Sequence, residues 1–286
     1  MRSSLSRVTA GAAAGALLLL AAACAAKDAG TPRAAQAGPA SSRPPLQYVS
    51  LGDSYSAGGG LAGVRPCGRS PQAYPALVAQ RAHVVVSEHA CNGATTADVL
   101  DTEQVAGVGK QIDAVGADTG VVTITIGGND IGFADVMRRC ALGSEPCTNL
   151  EGQVDRDLAA LPAKLLAVYR EIRRRAPNAA LLVVGYPQLV VDPAASGLPA
   201  CAGLTADESR FVRRKGDDLA RVVRTAAEAS GARYVDAAAA FAGHEACAAE
   251  PWMEGVNFVN IVGSYHPNAA GQDHLAQLVQ AALPNP

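Results

Sequence analysis

Ser54 stands where a hydrophobic run ends and a glycine-rich stretch begins, in the sequence "YVSLGDSYSAGGG". Small polar residues such as Gly52, Asp53 and Ser54 suit an ordinary turn, so a surface loop is one interpretation. A serine held at the end of a strand can also act as a nucleophile, and acyl transfer then requires a base and oxyanion donors nearby. The other loops therefore have to supply those groups if the second interpretation is correct.

Two further loops contain residues that can stabilise an oxyanion. Gly93, in "CNGATT", has no Cβ, so its backbone N–H can approach a substrate closely. Asn129, in "TIGGND", supplies a side-chain amide, and the backbone N–H of Ser54 itself would be a third donor. Each feature alone is weak because such turns are common, but each one follows a strand-like run.

The general base has to be a histidine, and the chain contains five. His83 and His89 flank a strand-like run, where a structural role is expected, and His274 falls inside the last predicted helix. His244 lies in a loop and is an alternative. His266, in "GSYHPNAAG", ends a loop directly before a helix, so it is favoured as the residue that reaches the serine.

Carboxylates and glycines suggest two other kinds of site. Asp53 and Asp130 lack the second carboxylate and the histidine that a metal or acid–base site needs, and Asp53 is expected to hydrogen-bond to nearby backbone. Gly58, Gly60 and Gly63 spell the dinucleotide-binding pattern, but several residues separate them from the strand and a proline follows. No cofactor and no metal are expected. The glycines fit either a mobile rim of a substrate pocket or a plain surface loop.

Strands and helices that would position these residues alternate along the chain. Five short, continuously apolar runs rich in β-branched residues favour strands covered on both faces of a parallel sheet. These runs cover residues 46–51, 83–88, 121–126, 180–185 and 232–237. Helical patterns lie between and after them: one with Leu158, Leu161, Leu165, Val168 and Ile172 on one face, one over residues 207–229, and one from Asn268 to just before Pro284.

This alternation predicts an α/β fold, a three-layer α/β/α sandwich with a mostly parallel five-stranded sheet. In such sheets, ligands bind outside the carboxyl ends of the strands. Ser54, Gly93 and Asn129 each follow one of the first three strands, so their loops are expected to meet at that edge.

Residues 1–24 have the features of an export signal, with arginines followed by a short apolar core. Cys24 follows three alanines and resembles the lipidated cysteine of a bacterial lipoprotein, whereas ordinary secretion with cleavage near those alanines is the alternative. The chain would then be a cell-envelope lipoprotein held at the membrane through Cys24, or a secreted protein. Residues 25–45 are rich in Ala, Pro, Gly and Ser and read as a flexible linker. A single domain is expected over residues 46–286.

The net charge and the cysteines bear on the partners of the protein and on whether it contains disulfides. A net charge of −2 with no basic stripe gives no reason to expect a nucleic-acid partner. Besides Cys24 there are six cysteines, and an even set in an exported chain predicts disulfides rather than zinc ligands, since no metal-type spacing occurs. Fifteen pairings are possible. The order along the chain favours the local set Cys67–Cys91, Cys140–Cys147 and Cys201–Cys247.

The stretches "LGDSYSAG", "NGAT", "GGND" and "SYHPN" resemble, in that order, the four sequence blocks of the SGNH (GDSL) hydrolase superfamily. The resemblance spans Gly52 to His266 and implies a flavodoxin-like SGNH-hydrolase fold. It also implies Ser54 as nucleophile, His266 as general base, and an oxyanion hole of Ser54, Gly93 and Asn129. The cysteine layout is similar to that of exported actinobacterial lipases and esterases of this superfamily, which supports the three local disulfides.

The chain departs from the superfamily pattern beside its histidine. Many members have an aspartate three residues before it, and this chain has Gly263 there. The backbone carbonyl of Ser264 is the expected partner that orients His266, with Asp236 as a less favoured one. A Ser–His dyad is therefore expected in place of a triad.

The resulting expectation is an exported, monomeric serine esterase or lipase that forms an acyl-Ser54 intermediate and needs no cofactor. Its partner would be a small-molecule or lipid ester. Apolar residues in "VNFVNIV", just before Gly263, favour acyl lipid esters if they line the site, although a place in the core is equally compatible with their sequence. A carbohydrate acetylesterase, a cell-envelope acyltransferase and a non-catalytic envelope-binding lipoprotein are the alternatives.

Overall fold

The computed structural model describes residues 46–63, 66–143, 145–192, 201 and 203–284. The predicted export signal, Cys24 and the predicted linker lie outside the described residues.

Five parallel strands form a single sheet in the order β2-β1-β3-β4-β5. The strands are β1 (Gln47–Gly52), β2 (Val85–Glu88), β3 (Thr119–Thr125), β4 (Ala180–Val184) and β5 (Arg233–Val235). Each of the five predicted runs overlaps one of them, although β1 ends one residue later and β3 begins two residues earlier than predicted, and β5 is the shortest at 3 residues. The predicted fold class, a parallel five-stranded α/β sheet, is confirmed.

Helices connect and cover these strands. They are α1 (Ser54–Ala57), α2 (Tyr74–Ala82), α3 (Thr96–Leu100), α4 (Phe133–Leu142), α5 (Glu151–Arg175), α6 (Ala206–Ala229), α7 (Ala237–Ala240) and α8 (Ala269–Ala282). The long helices α5 and α6 and the last helix α8 match the three predicted helical patterns. The shorter helices α2 and α4, of 9 and 10 residues, were not predicted.

The central strands explain why continuous apolar runs were needed. Five of the six residues of β1 are buried, and β3 is buried along almost its whole length. Side chains alternate between the two faces of a strand, so unbroken burial requires cover on both faces. Helix α2 packs against α8, and α5 packs against α6. These two pairs, together with the sheet, form the three layers.

The carboxyl ends of β1 and β3 are held together by a tight backbone crossing. Gly52 ends β1 with φ of 124°, and a Cβ at this position would lie 2.3 Å from the carbonyl oxygen of Thr125. Only glycine fits there. The next residue, Asp53, donates its backbone N–H to the same Thr125 oxygen, and Cys91 donates to the oxygen of Gly52. The loops after β1, β2 and β3 thereby meet at one edge of the sheet.

Three disulfides are present: Cys67–Cys91, Cys140–Cys147 and Cys201–Cys247. They are the local pairs that the order of cysteines favoured. The first joins the glycine-rich loop after α1 to the loop that carries Gly93, and the neighbouring Asn92 N–H donates to the oxygen of Cys67. Within the part of the chain that the structure describes, no helix is both long and apolar enough to cross a membrane.

We expect the three disulfides to stabilise the fold in the order of their sequence separations, which are 46, 24 and 7 residues. Loop-closure entropy predicts losses of roughly 4, 3.5 and 2.5 kcal/mol on paired Cys→Ala substitution, because a longer closed loop restricts the unfolded chain more. Urea unfolding of the three double variants would measure this. Equal losses, or the reverse order, would contradict the prediction.

Candidate active site

Ser54 is the first residue of α1, directly beyond the end of β1. Asp53 caps this helix, and its side chain accepts the backbone N–H of Tyr55 at 2.9 Å, so its expected bond within the turn is confirmed. The first N–H groups of a helix have no partner inside the helix. The Ser54 N–H is one of these, and its side chain lies at a cavity, with 9% of the residue exposed.

His266 lies beside Ser54, although 212 residues separate them in the sequence. Its Nε2 is 2.7 Å from Ser54 Oγ, and its Nδ1 is 2.9 Å from the carbonyl oxygen of Ser264. A carbonyl oxygen can only accept, so Nδ1 carries the proton in the neutral ring. Nε2 is then the free acceptor for the serine hydroxyl proton.

The backbone before His266 is strained. Tyr265 has φ of 57°, in the left-handed region that costs a non-glycine residue about 1–3 kcal/mol. Two hydrogen bonds hold it there: Tyr55 Oη donates to its carbonyl oxygen at 2.7 Å, and its own N–H donates to the oxygen of Glu254. Tyr55 also places its ring 5.0 Å from the imidazole of His266. The residue after Ser54 therefore helps to fix the histidine.

Gly263 cannot be replaced by an acidic residue without moving the backbone. A Cβ on it would lie 3.1 Å from Cα of Gly60, and a Cβ on Gly60 would lie 2.2 Å from Cα of Gly263. The Cβ would also lie 3.0 Å from Nδ2 of Asn260, so both neighbours would have to shift to admit a side chain at this position. Asp236, the less favoured orienting residue, instead caps α7 and pairs with Arg224. The carbonyl of Ser264 is the contact at Nδ1.

Gly59 is a site residue that sequence reasoning missed. A Cβ on it would lie 2.8 Å from Ser54 Cβ and 3.0 Å from Cδ2 of His266. The glycine motif around it was assigned to a pocket rim or a surface loop. In the structure, Gly59 packs against the serine–histidine pair and Gly60 against Gly263. The requirement for glycine at these two positions is close backbone approach.

Gly93 and Asn129 line the same cavity as Ser54. Gly93 has φ of 80°, and a Cβ there would meet nothing closer than 3.7 Å. The left-handed conformation is therefore one reason for glycine at this position. The Asn129 Nδ2 donates to the oxygen of Ala94 at 2.9 Å, which holds the amide at the cavity wall. One Nδ2 hydrogen remains for a substrate oxygen.

A buried hydrogen-bonded chain beneath the serine was also missed. The Gly128 N–H donates to Tyr186 Oη at 2.9 Å, and Tyr186 Oη donates to the Asp53 carboxyl. Burial raises the pKa of Asp53 to about 7, while hydrogen bonds from Tyr186 and Tyr55 act in the opposite direction. These hydrogen bonds connect the turn that contains Ser54 to the loop that contains Asn129. The residues that form them are far apart in sequence and carry no local signal.

The other candidate groups lie in structural contacts. Asp130 accepts two hydrogen bonds from Thr96 and pairs with Lys164. His244 and His274 stack on opposite sides of Trp252, each with ring centroids 3.6 Å apart. Among the described residues, no three His, Cys, Asp or Glu side chains are grouped so that they could hold a metal ion.

A surface pair provides an internal comparison for the dyad geometry. Ser87 Oγ and His89 Nε2 are 2.7 Å apart, the same distance as Ser54 Oγ and His266 Nε2. The pair is exposed on the edge strand β2 and its loop, and neither residue lines the cavity at Ser54. A short Ser–His hydrogen bond alone is therefore not sufficient to mark a site.

The cavity at Ser54 has a volume of about 310 Å³ and is lined mainly by apolar side chains. The apolar lining comes from α4, from the segment after β4, from α6 and from the loop before His266: Phe133, Met137, Ala141, Leu142, Pro187, Leu189, Leu219, Val256, Ile261 and Val262. The polar residues of the lining include Ser54, Asn129, Arg138 and His266. Burial lowers the pKa of His266, and the hydrogen bond to Ser264 partly opposes this.

Comparison with known proteins gives consistent matches. The sequence model of the GDSL-like lipase/acylhydrolase family matches residues 50–274. Lipase 1 of Streptomyces coelicolor is 38% identical over 265 residues, which cover 89% of this chain and 91% of that protein.

Two solved structures are also similar. The extracellular lipase of Streptomyces rimosus has a TM-score of 0.75 and 36% identity, over 83% of this chain and all of that one. Phospholipase A1 of Streptomyces albidoflavus has a TM-score of 0.73 and 36% identity, over 84% of this chain and all of that one.

Gly59→Ala should lower kcat/KM by about 100-fold, because the added methyl group overlaps Ser54 Cβ and the imidazole, and displacements of about 1 Å at reacting groups have effects of this size. Gly116→Ala is the matched control: a Cβ there meets open space, and neither glycine has a left-handed φ. Steady-state kinetics on a soluble ester would test this. Activity of Gly59→Ala within threefold of the control would refute the assigned crowding.

We expect kcat/KM to fall at low pH with an apparent pKa below the ordinary histidine value of 6.5. Burial disfavours imidazolium, so the neutral base persists to lower pH, and activity is lost only as pH falls through the lowered pKa of His266. A pH–rate profile measures it. Asp53→Asn, measured in parallel, removes the buried carboxyl that titrates at about 7. An acid limb above 6.5 in both proteins would contradict the assignment to His266.

Proposed function

The chain belongs to the GDSL-like lipase/acylhydrolase family and is a carboxylic ester hydrolase, and we propose that it cleaves acyl lipid esters through a covalent acyl-Ser54 intermediate. One observation carries the proposal. The 2.7 Å contact between Ser54 Oγ and His266 Nε2 lies at a cavity lined mainly by apolar side chains, with the opposite ring nitrogen held by a carbonyl.

Acylation would begin when Ser54 Oγ attacks the ester carbonyl carbon and its proton passes to His266 Nε2. The carbonyl oxygen becomes an oxyanion, for which the Ser54 N–H, the Gly93 N–H and the Asn129 Nδ2 are the proposed donors. Collapse breaks the ester C–O bond, and His266 returns the proton to the departing alcohol. The acyl group is left on Ser54.

Deacylation repeats the sequence with water. The water oxygen attacks the acyl carbon while His266 Nε2 takes a proton from the water. The bond between the acyl carbon and Ser54 Oγ then breaks. The carboxylic acid leaves, and the serine hydroxyl regains its proton from His266. The imidazolium formed in each step keeps Nδ1–H on the Ser264 oxygen, an uncharged partner that fixes the ring but stabilises its charge less than a carboxylate would.

The lining of the cavity supports acyl lipids as the substrate class. Its walls away from Ser54 are mostly apolar, as a fatty acyl chain requires and a sugar acetate does not. Two similar proteins are described as an extracellular lipase and a phospholipase A1, which are consistent with that class. Ser54 and His266 in contact argue against a purely binding protein.

Export is part of the proposal, supported by the sequence of residues 1–24 and by the extracellular relative. Secretion and lipid anchoring at Cys24 predict different mature termini. Mass spectrometry of the mature protein separates them, because only anchoring leaves an acylated Cys24 as the first residue.

Ser54→Ala and His266→Ala should each reduce kcat on p-nitrophenyl esters by at least about 10⁴-fold, because either change removes a member of the proposed dyad. Assays over acyl lengths from acetyl to palmitoyl, with EDTA present, would measure both the loss and the preferred chain. We expect wild-type activity to rise from acetyl to medium-length chains.

Ser87→Ala and His89→Ala are the matched controls, since that pair has the same Ser–His distance but lies outside the cavity. Both should retain wild-type activity. The proposal is wrong if Ser54→Ala stays active, or if the surface pair is required. Turnover that increases with an added alcohol acceptor would instead indicate an acyltransferase.

A further inference from the structure

An uncharged loop with outward-facing apolar side chains borders the cavity. Residues 255–265 contain no Asp, Glu, Lys, Arg or His. Within this stretch, Phe258 is 77% exposed, Val259 99%, Ile261 52% and Val262 54%. Single exposed apolar side chains are ordinary, but a cluster of them marks an interaction site. Residues 256–262 are called the rim loop below.

The polar side chains of the rim loop make its internal hydrogen bonds. Asn257 Oδ1 accepts the backbone N–H groups of Val259 and Asn260, and Asn260 Nδ2 donates to the carbonyl oxygen of Gly60. The backbone N–H of Asn257 donates to Ser264 Oγ at 2.9 Å. The asparagine side chains are therefore engaged in hydrogen bonds that shape the loop, while its apolar side chains make no such contacts and extend into solvent.

The exposed apolar surface continues into the cavity. Ile261 and Val262 are about half exposed and also line the cavity at Ser54, and Leu142, on α4, is 50% exposed and lines it too. Among the described residues, six large apolar side chains are strongly exposed. Four lie in the rim loop, and the fifth is Leu142. The sixth, Val85, lies on the edge strand β2.

The position of the rim loop and Leu142 beside the cavity favours one kind of binding partner. A protein docked here would cover the entrance to Ser54, whereas a layer of lipid esters would present acyl chains to it. Arg138 lines the cavity, and Arg138 and Arg139 share the single carboxylate of Asp135. One positive charge thus remains on the α4 side of the rim, which suits the phosphate of a lipid headgroup.

We propose that the rim loop and Leu142 form a docking surface for aggregated lipid esters, with Phe258 and Val259 inserted among the acyl chains of a membrane or micelle. The inference rests on the proposed function in that the lipid layer also supplies the substrate of Ser54. Phe258 and Val259 do not line the cavity, so their role is to hold the enzyme at the surface.

The rim loop also contacts the residues that orient the dyad. Ser264 lies two residues beyond the end of the loop, and its carbonyl oxygen accepts from His266 Nδ1. Within the loop, Asn260 donates to the carbonyl oxygen of Gly60, the residue after Gly59. A change in the loop could therefore act on catalysis itself. An assay on a soluble ester below its aggregation concentration separates that effect from docking.

The test compares Phe258→Ser/Val259→Ser with Val85→Ser, a control that removes an apolar side chain that is also exposed, at 57%, but lies elsewhere. All proteins are full-length and carry Cys24→Ser, so that no lipid anchor contributes. We expect the double variant to lose at least tenfold in hydrolysis of phosphatidylglycerol vesicles, with kcat/KM on p-nitrophenyl butyrate within twofold of the parent and an unchanged Tm. The control should match the parent in both assays.

Vesicle binding is measured separately in a Ser54→Ala background, where no lipid is consumed. The chain has a single tryptophan, Trp252, so Phe258→Trp adds one reporter on the rim. Its emission should shift to shorter wavelength with vesicles and be quenched by acyl chains brominated near the headgroup. Val85→Trp should show neither change.

Each outcome bears on one proposal. Equal vesicle binding by the double variant and the parent would overturn lipid docking, as would a Phe258→Trp emission that vesicles leave unchanged. Dimerisation that depends on Phe258 in analytical ultracentrifugation would assign the surface to a second copy instead. Loss on the soluble ester equal to that on vesicles would assign the loop to His266 positioning. Binding without any ester hydrolysis by the Ser54-containing parent would retain docking and reject the proposed function.

Discussion

The hydrogen bond between Ser54 and His266 is the interaction on which the site depends. Its two residues come from opposite ends of the domain, and neither approaches the other through local structure. The parallel sheet fixes Ser54, because Gly52 brings the end of β1 against β3. A short loop before α8 fixes His266. The rest of the fold keeps the sheet edge and this loop close enough for Ser54 and His266 to form their hydrogen bond.

Backbone atoms do much of the work that side chains do in a serine triad. The histidine is oriented by the carbonyl of Ser264, and the space near Gly263 is filled by the backbone of Gly60. A buried imidazolium beside a carboxylate would gain charge stabilisation, whereas a carbonyl supplies only a dipole. Burial lowers the pKa of His266, and the hydrogen bond to the Ser264 carbonyl opposes this only in part.

Burial acts on both titratable groups around the serine, and it acts in opposite directions on their pKa values. It lowers the pKa of His266 and raises that of Asp53, since in each case the neutral form is favoured. The cavity beside Ser54 and His266 is itself lined mainly by apolar side chains. The rim loop carries the same apolar character out to the surface, where its asparagines hold it in shape.

The sequence by itself determined the elements and the chemistry that they carry. Apolar runs of strand length predicted all five strands, because residues buried on both faces must be apolar throughout. Four short blocks in order indicated the family and nominated Ser54, Gly93, Asn129 and His266. Cysteine order predicted the three disulfides that the structure contains. Each of these signals is local, or depends only on order along the chain.

Only the tertiary structure decided which distant groups touch. The chain from Gly128 through Tyr186 to Asp53, the crowding at Gly59 and the contact of Gly60 with Gly263 join residues that no periodicity relates. The sequence left the apolar residues of the rim loop equally compatible with lining the site and with the core, because hydrophobicity does not say which groups they contact. Val256, Ile261 and Val262 line the cavity. Packing gave the answer: no described element covers Phe258 or Val259, and their side chains face solvent.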